Sequence, residues 1–342
     1  MKMDDRKQNI LLAVIQDYIA TAEPVGSRTI SRKYKLGISP ATVRNEMADL
    51  EDMGLIEQPY TSAGRIPTDK GYRHYVDYYM ERKSLNEEIQ QYIHDKLRGK
   101  LSDLEEVIRR TGDLLSGMTD CIAITLGPRL GKSAIKYIEL TKIDCQRGLL
   151  VVVTDSGTVE HRFLDIPETV TKEDLLIASK VLANKFKGFT LDTISKTVLH
   201  EVYAELRLKR QFLDLIFDLI DEIFSCYSGV KIYMCGTHNI LKQPEFKDVD
   251  KLHSLLTLLE EERIVKEILE LPPEGIEIRI GEENTYEGVH DCSLVTATYS
   301  MGKEIIGPIS VLGPTRMEYS KIVSIVDFIS EALTVALTRY YG

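Results

Sequence analysis

The sequence of 342 residues has no run of about 18 consecutive apolar residues, the length that a membrane-spanning helix requires. Its first residues are polar and charged, without the apolar stretch of a secretion signal. The five cysteines are odd in number and widely scattered, so no spacing pairs them as disulfides. We therefore expect a cytoplasmic protein with reduced thiols and no membrane partner.

The sequence also lacks a convincing motif for a metal or a nucleotide. Cys235 and His238 are close together, as are His290 and Cys292, but neither pair has the further ligands of a tetrahedral site. The segment 127–133 resembles a phosphate loop, yet it has three residues between its glycines where the motif needs four. A solvated loop between strands explains it better than nucleotide binding. We predict no cofactor, no metal and no enzymatic activity.

The chain lacks the overall positive charge of a general nucleic-acid binder, because its formal net charge is −10. The charge is unevenly distributed, however. Residues 26–45 include five basic side chains and no aspartate or glutamate, whereas the acidic excess lies beyond about residue 84. This asymmetry favours a DNA-binding N-terminal region joined to an acidic regulatory body.

The first 70 residues have the order helix, helix, turn, helix, wing. An apolar stripe predicts a helix over 4–21, and Ser27 is expected to cap a second helix that ends at Lys35. Ser39 caps a third helix, with Pro40 in its first position and Gly54 as its C-terminal stop. A strand over 55–58 and a wing over 59–67 follow, with Gly64 expected at positive φ.

The third helix is the one that would enter the major groove of DNA. Its spacing directs Val43, Met47 and Leu50 toward the core. The residues left outward are Ala41, Thr42, Arg44, Asn45, Ala48 and Asp49. Arg44 can pair with guanine and Asn45 with adenine, while Ala41 and Thr42 can approach a thymine methyl group or a phosphate. The alternative is that these are ordinary solvated residues of a helix face.

Basic residues around this helix are candidates for contacts with the DNA backbone, which position a protein without reading sequence. Arg65 is predicted at the wing tip, within reach of the minor groove or a phosphate. The candidates for positioning are Arg28, Arg32, Lys33 and Lys35.

The sequence beyond about residue 84 predicts an α+β domain that is interrupted by a helical insertion. A long polar helix over 85–115 would lie on the domain or form a dimeric coiled coil. Strand patterns follow over 121–166, helical patterns over 172–224, and strands again over 230–234, 276–280, 293–301 and 303–312, before a helix over 319–341. The helical segment is rich in leucine, isoleucine and phenylalanine, so self-association is a reasonable hypothesis.

Three sets of residues closely resemble the HrcA family of heat-inducible transcription repressors. They are the segments 23–27 with 39–45, the long run 61–73, and the C-terminal segments 278–284 and 313–317. The resemblance covers the whole chain and is weakest over 166–228. It implies a winged-helix domain (1–83), a GAF-like domain (84–165 and 229–342) and an inserted dimerising domain (166–228).

The resemblance further implies a homodimer that binds double-stranded DNA at an inverted repeat, the CIRCE operator, before chaperone operons of the GroE and DnaK type. It implies that the chaperonin GroEL promotes the active repressor and that heat releases it from DNA. A GAF-like domain that binds a small molecule remains an additional possibility, although the sequence has no distinctive pocket signature.

Overall fold

In the computed structural model the described residues are 4–341, except 35–36, 98–103, 128–133, 145, 155–158, 190–201, 203–205, 207–211, 221–229, 270–274 and 303. The N-terminal part is a winged helix. Its elements are α1 (Asp5–Thr21), α2 (Ser27–Lys33), α3 (Pro40–Asp52), β1 (Ile56–Glu57), β2 (Ile66–Pro67) and α4 (Asp69–Tyr78). Strands β1 and β2 pair antiparallel, with Ile56 opposite Pro67 and Glu57 opposite Ile66.

Two local predictions for the winged helix are wrong. Gly26 occupies the cap position of α2, so Ser27 is the first helical residue rather than the cap, and the described helix ends at Lys33. Gly64 does not have a positive φ; Ser62 takes that conformation instead, at φ 72°. Position 64 requires glycine for a different reason. A Cβ atom there would lie 2.5 Å from the carbonyl carbon and oxygen of Val25. The predicted stop of α3 is confirmed, with Gly54 at φ 70°.

The body contains a five-stranded antiparallel sheet in the order β7-β3-β10-β9-β8. The strands are β3 (Ile122–Leu126), β7 (Ile232–Cys235), β8 (Ile276–Ile280), β9 (Cys292–Met301) and β10 (Glu304–Pro314). Helices α5 (Glu87–Leu97), α6 (Leu104–Thr119) and α10 (Tyr319–Tyr341) cover one face. Helices α8 (Val249–Glu260) and α9 (Glu262–Ile268) cover the other. The predicted α+β class is confirmed.

Two helical predictions for the body need correction. The helix predicted over 85–115 is two helices, α5 and α6, which contact each other and both pack on α10. They therefore do not form a single rod. The helices α8 and α9 and the 3₁₀ turns at Thr237–Lys242 and Pro244–Lys247 had no counterpart in the sequence prediction.

The described residues from Ile135 to Ile220 include a layered unit with its own hydrophobic cluster. It contains an antiparallel sheet of β4 (Ile135–Lys142), β5 (Arg147–Thr154) and β6 (Val159–Asp165), followed by α7 (Lys172–Phe186). One face of this sheet packs on α7 and on the helical residues 212–220, in a hydrophobic cluster whose described members all lie within 135–220. The packing thus groups 135–165 with the segment that follows, whereas the sequence prediction divided them at residue 166. Strand patterns do not reveal which of two sheets a strand joins.

The winged helix and the body share one hydrophobic core, which runs from Ile10 in α1 to Leu337 in α10. At the junction, Tyr72 and Tyr319 are both buried, with ring centroids 5.8 Å apart. The Arg73 guanidinium donates to Glu283, with Nε 2.8 Å from Oε1. Among the described residues, no helix combines the length and apolar character needed to cross a membrane.

Residues of three of the segments that carry the family resemblance, 61–73, 278–284 and 313–317, lie at this junction. The backbone N–H of Glu282 donates to the Asp69 carboxylate at 3.0 Å. Gly281 lies so close that a Cβ atom would be 1.7 Å from the same carboxylate oxygen. Arg316 donates to the backbone oxygen of Ile19 at the end of α1, at 3.1 Å. The motifs that are distant in sequence therefore form one contact between the winged helix and the body.

Candidate nucleic-acid interface

The third helix is oriented as its sequence predicts. The side-chain oxygen of Ser39 accepts a hydrogen bond from the backbone N–H of Thr42 at 3.1 Å, which satisfies one of the free donors at the helix start. Val43, Met47 and Leu50 are buried in the core. The opposite face of α3 is consequently turned away from the protein.

Four of the predicted DNA-contacting residues lie on the exposed side of α3. Ala41, Arg44 and Asn45 are exposed. Thr42 is only half-buried, and its hydroxyl is 3.0 Å from the Ser39 hydroxyl. The side chain of Thr42 thus takes part in the cap, while Arg44 and Asn45 project two hydrogen-bonding groups toward solvent from adjacent positions.

A cleft separates α3 from the wing. Arg28 from α2, Arg44 from α3 and Arg65 from the wing all line it. Among the described residues that line this cleft, none is acidic. Gln58 and Ser62 from the wing complete its wall. The sequence prediction omitted these two residues, because an isolated glutamine or serine gives no signal of a shared surface. The structure therefore concentrates positive charge beside the exposed face of α3.

Arg65 does not lie at the wing tip. Its backbone pairs with Val25 through two hydrogen bonds of 2.8 and 2.9 Å, which places it at the base of the wing. Its guanidinium is held by the carboxylate of Glu51, with Nη2 2.7 Å from Oε2. A partner 14 residues away in sequence is beyond what spacing can reveal. The positive charge of Arg65 is largely compensated within the winged helix.

Lys33 also has an internal partner. Its ammonium group pairs with Asp17, a buried residue of α1, and this hydrogen bond raises the pKa of Lys33. The pair stabilises the contact between α1 and α2, while the stem of Lys33 remains about half exposed. Lys35 lies outside the described residues.

A cluster of charges fixes the position of α3 on α1. Lys7 of α1 lies 3.0 Å from Glu46 and 2.9 Å from Asp49, both on α3. The hydrogen bond to Asp49, followed by that to Glu46, raises the pKa of Lys7. Asp49 is exposed, as its helical spacing predicts, but its pairing with Lys7 could not be predicted because nothing in the spacing links it to α1.

The alternative sites have little support in the described part of the chain. There, no three His, Cys, Asp or Glu side chains come together as a metal site would require. Most of the loop 127–133 lies outside the described residues. Burial raises the pKa of Cys121 and of Cys235 to about 12, so both thiols are protonated at neutral pH.

Comparison with known proteins extends these observations. The family profile described as "Winged helix-turn-helix transcription repressor, HrcA DNA-binding" matches residues 2–78, and the profile "HrcA protein C terminal domain" matches residues 105–323. A heat-inducible transcription repressor HrcA from Pelotomaculum thermopropionicum is 48% identical over 341 residues, covering 99% of this chain and 98% of that protein. The protein of the same name from Moorella thermoacetica is 47% identical over 343 residues, with 100% of both chains covered.

One solved structure, titled as a hypothetical protein at 2.2 Å resolution, aligns with a TM-score of 0.71 and 24% identity over 99% of both chains. This likeness supports the fold alone. The winged helix with its exposed recognition helix defines a DNA-binding transcription regulator, not an enzyme. More particularly, the chain belongs to the HrcA family of heat-inducible transcription repressors.

Proposed function

We propose that the chain acts as a homodimer that represses chaperone operons of the GroE and DnaK type by occupying the inverted-repeat CIRCE operator. The observation that carries this proposal is the exposed face of α3 beside a cleft that contains arginines and no described acidic residue. A recognition helix needs such a face, because the side chains that hydrogen-bond to base edges in the major groove must be exposed to solvent in the free protein. Repression then follows from steric exclusion of the polymerase, in the cytoplasm where the DNA is.

Each candidate residue has a distinct role in this proposal. Arg44 donates two hydrogen bonds to guanine O6 and N7, and Asn45 pairs with adenine N6 and N7. Ala41 adds little bulk, so the helix N-terminus can approach the groove closely. Arg28 neutralises a phosphate at the edge of the cleft. Because Arg65 and Lys33 are engaged by Glu51 and Asp17, we assign them mainly to holding the reading surface together.

The dimer contact is proposed on the outer face of the β4–β6 sheet. Cross-strand pairing puts Tyr137 opposite Val153, and Val153 opposite Val159, so these residues share one face. Phe163 lies on the same face and is 61% exposed. An apolar sheet face with this exposure is typical of a surface that another chain covers.

This assignment changes the hypothesis drawn from sequence. Among the described residues of the inserted helices, most apolar side chains are buried against the inner face of the sheet, so they are already covered within one chain. Leu176 and Ile177 remain exposed. We therefore propose that the inserted dimerising unit includes β4–β6 in addition to the predicted range 166–228.

Heat control is proposed from the family. The relatives carry the name heat-inducible transcription repressor, and the resemblance implies that the chaperonin GroEL restores the active form. Heat diverts chaperonin to unfolded clients, so the repressor is no longer restored and leaves its operator. We also propose, from the same family resemblance, that the body is a GAF-like domain.

The test is binding to a chaperone-operon inverted repeat and to a scrambled duplex, at one physiological salt concentration and at growth and heat-shock temperatures. We expect a strong preference for the operator that heating abolishes and that returns when chaperonin is added. Preference that survives heating would contradict the proposed heat control alone. The absence of any preference at growth temperature would contradict the operator assignment.

A further inference from the structure

The tip of the wing is uncharged. The segment 58–64 has no lysine, arginine, aspartate or glutamate, and the nearest arginine, Arg65, is fixed at the base by Val25 and Glu51. A wing usually adds affinity through cations that neutralise phosphates. This wing tip has no cation for that purpose, so any contact it makes with DNA is of another kind.

Hydrogen bonds within the segment nonetheless define the shape of the tip. The backbone N–H of Ala63 donates to the Tyr60 oxygen at 3.0 Å, and the Gln58 amide donates to the Ala63 oxygen at 3.2 Å. Ser62 takes the left-handed conformation within this turn. A preformed turn presents its side chains at little entropic cost when a partner binds.

Tyr60 is the one large side chain that this turn presents, and it is 65% exposed. The residues around it, Gln58, Ser62 and Ala63, line the same cleft as Arg44. Because these neighbours line the cleft, we infer that DNA seated with α3 in its major groove would pass close to Tyr60. The ring offers an apolar surface, and its hydroxyl offers a hydrogen-bond donor.

We propose that Tyr60 is a specificity-determining residue that packs its ring against a deoxyribose and donates its hydroxyl to a minor-groove acceptor next to the base pairs read by α3. This rests on the operator binding proposed above. A·T pairs display only the acceptors adenine N3 and thymine O2 in the minor groove, whereas G·C pairs add a protruding amino group. Tyr60 therefore confers a preference for A·T pairs beneath the wing.

The contact neutralises no phosphate, and this separates it from the contacts of the basic residues. Tyr60→Ala weakens operator binding roughly tenfold, as expected for a lost aromatic contact, at every salt concentration. The slope of log affinity against log salt stays that of the wild type, whereas Arg28→Ala flattens it. Tyr60→Phe retains the packing of the ring and loses only the hydrogen bond of the hydroxyl. Its affinity for the operator therefore lies between that of the wild type and that of Tyr60→Ala.

Fluorescence anisotropy with a labelled operator measures these affinities. Tyr92→Ala, which removes a half-exposed tyrosine of α5 in the body, serves as the matched control and binds as the wild type does. Unfolding curves for each variant establish that the fold is unchanged. Binding by Tyr60→Ala within twofold of the wild type, or a flattened salt slope, overturns the proposal.

A second experiment changes the DNA. The base pairs that flank the step where Arg44→Ala alters discrimination are set to A·T in one duplex and replaced by G·C or by inosine·C in two others, and inosine·C keeps the minor-groove face of A·T. The wild type should lose affinity with G·C and not with inosine·C, and Tyr60→Ala should not distinguish them. Equal loss with both replacements refutes a minor-groove contact. Wild-type protein without operator preference would instead indicate failure of the proposed operator binding.

Discussion

Arg44 and Arg65 carry the same side chain in opposite environments. Arg44 projects from the exposed face of α3, whereas the Arg65 guanidinium is paired with Glu51 and its side chain is 21% exposed. An exposed guanidinium can replace its hydrogen bonds to water with hydrogen bonds to a base. A guanidinium that is paired with a carboxylate must first break that ion pair. At the scale of single residues, we therefore propose that Arg44 reads DNA and that Arg65 mainly supports the winged helix, although both line the same cleft.

We expect Arg44→Ala to weaken operator binding by about 1–3 kcal/mol, because a bidentate contact to guanine is lost. The loss on random DNA should be smaller, since only a general attraction to phosphates disappears there. Titration of both duplexes at one salt concentration measures the difference. Equal losses on both would exclude a base-reading role. Arg110→Ala, on the exposed side of α6, serves as a control for charge removal.

The buried cysteines make a second prediction at this scale. Burial raises the pKa of Cys121 and Cys235 to about 12 and that of Cys292 further. The reactive thiolate is therefore scarce below pH 9, and its fraction grows as pH rises toward the pKa. Iodoacetamide at pH 8 should leave these three cysteines unmodified in the native protein and label them in urea, as peptide mass spectrometry can show. Native labelling at a rate similar to that in urea would contradict their burial.

Elements differ in how much of their structure is local. Helix α3 could be predicted in detail, because its cap, its first proline, its apolar spacing and its terminal glycine all lie within 16 consecutive residues. The wing depends on distant partners. Gly64 is required by the backbone of Val25, and Arg65 pairs with Glu51, so neither role could be read from adjacent residues.

The same distinction applies to the longer elements. Periodicity predicted most strands of the body with nearly correct bounds. It did not predict that β3 and β4 belong to different sheets, since pairing partners are set by tertiary contacts. It also joined α5 and α6 into one helix, because both have similar polar faces. The exposed face of α3 was thus predictable, and the cleft beside it was not.

The close approach at Gly64 makes a prediction for the wing as an element. Gly64→Ala places a Cβ atom 2.5 Å from the carbonyl group of Val25, so the base of the wing must move away from α2. We expect a loss of stability of about 1–3 kcal/mol and weaker operator binding. Gly117→Ala in α6 is the matched control, because a Cβ atom there meets no atom within 4 Å. Urea unfolding of both variants measures the difference, and equal midpoints would contradict the steric argument.

At the scale of the whole molecule, the arrangement of reading surface and dimer surface matters. Two winged helices on an inverted repeat must be separated by about one helical turn or a multiple of it. The winged helix lies within residues 5–78, and the β4–β6 sheet lies within residues 135–165 and is separate from the five-stranded sheet. If the dimer contact proposed above is correct, the body sets the distance between the two winged helices.

The proposed dimer face can be tested with the combined substitution Val159→Asp and Phe163→Asp. Two carboxylates on the exposed apolar face should prevent self-association without disturbing the inner face of the sheet. Sedimentation should give a monomer at micromolar concentration, with the operator bound only as weakly as a half-site. Val249→Asp, at a valine of α8 that is 75% exposed, should remain a dimer. A dimeric double variant would place the contact elsewhere.

The junction between the winged helix and the body has a consequence for exchanging parts of this chain with those of a relative. Because Tyr72 packs on Tyr319 and Asp69 fits against Gly281, the DNA-binding part is not a portable module. We expect that a chimera with residues 1–83 from a relative also needs that relative's 278–284 and 313–317 segments. Without them, the winged helix would lose its native contacts with the body. An exchange of the winged helix is therefore expected to require matched changes at three separate places in this chain.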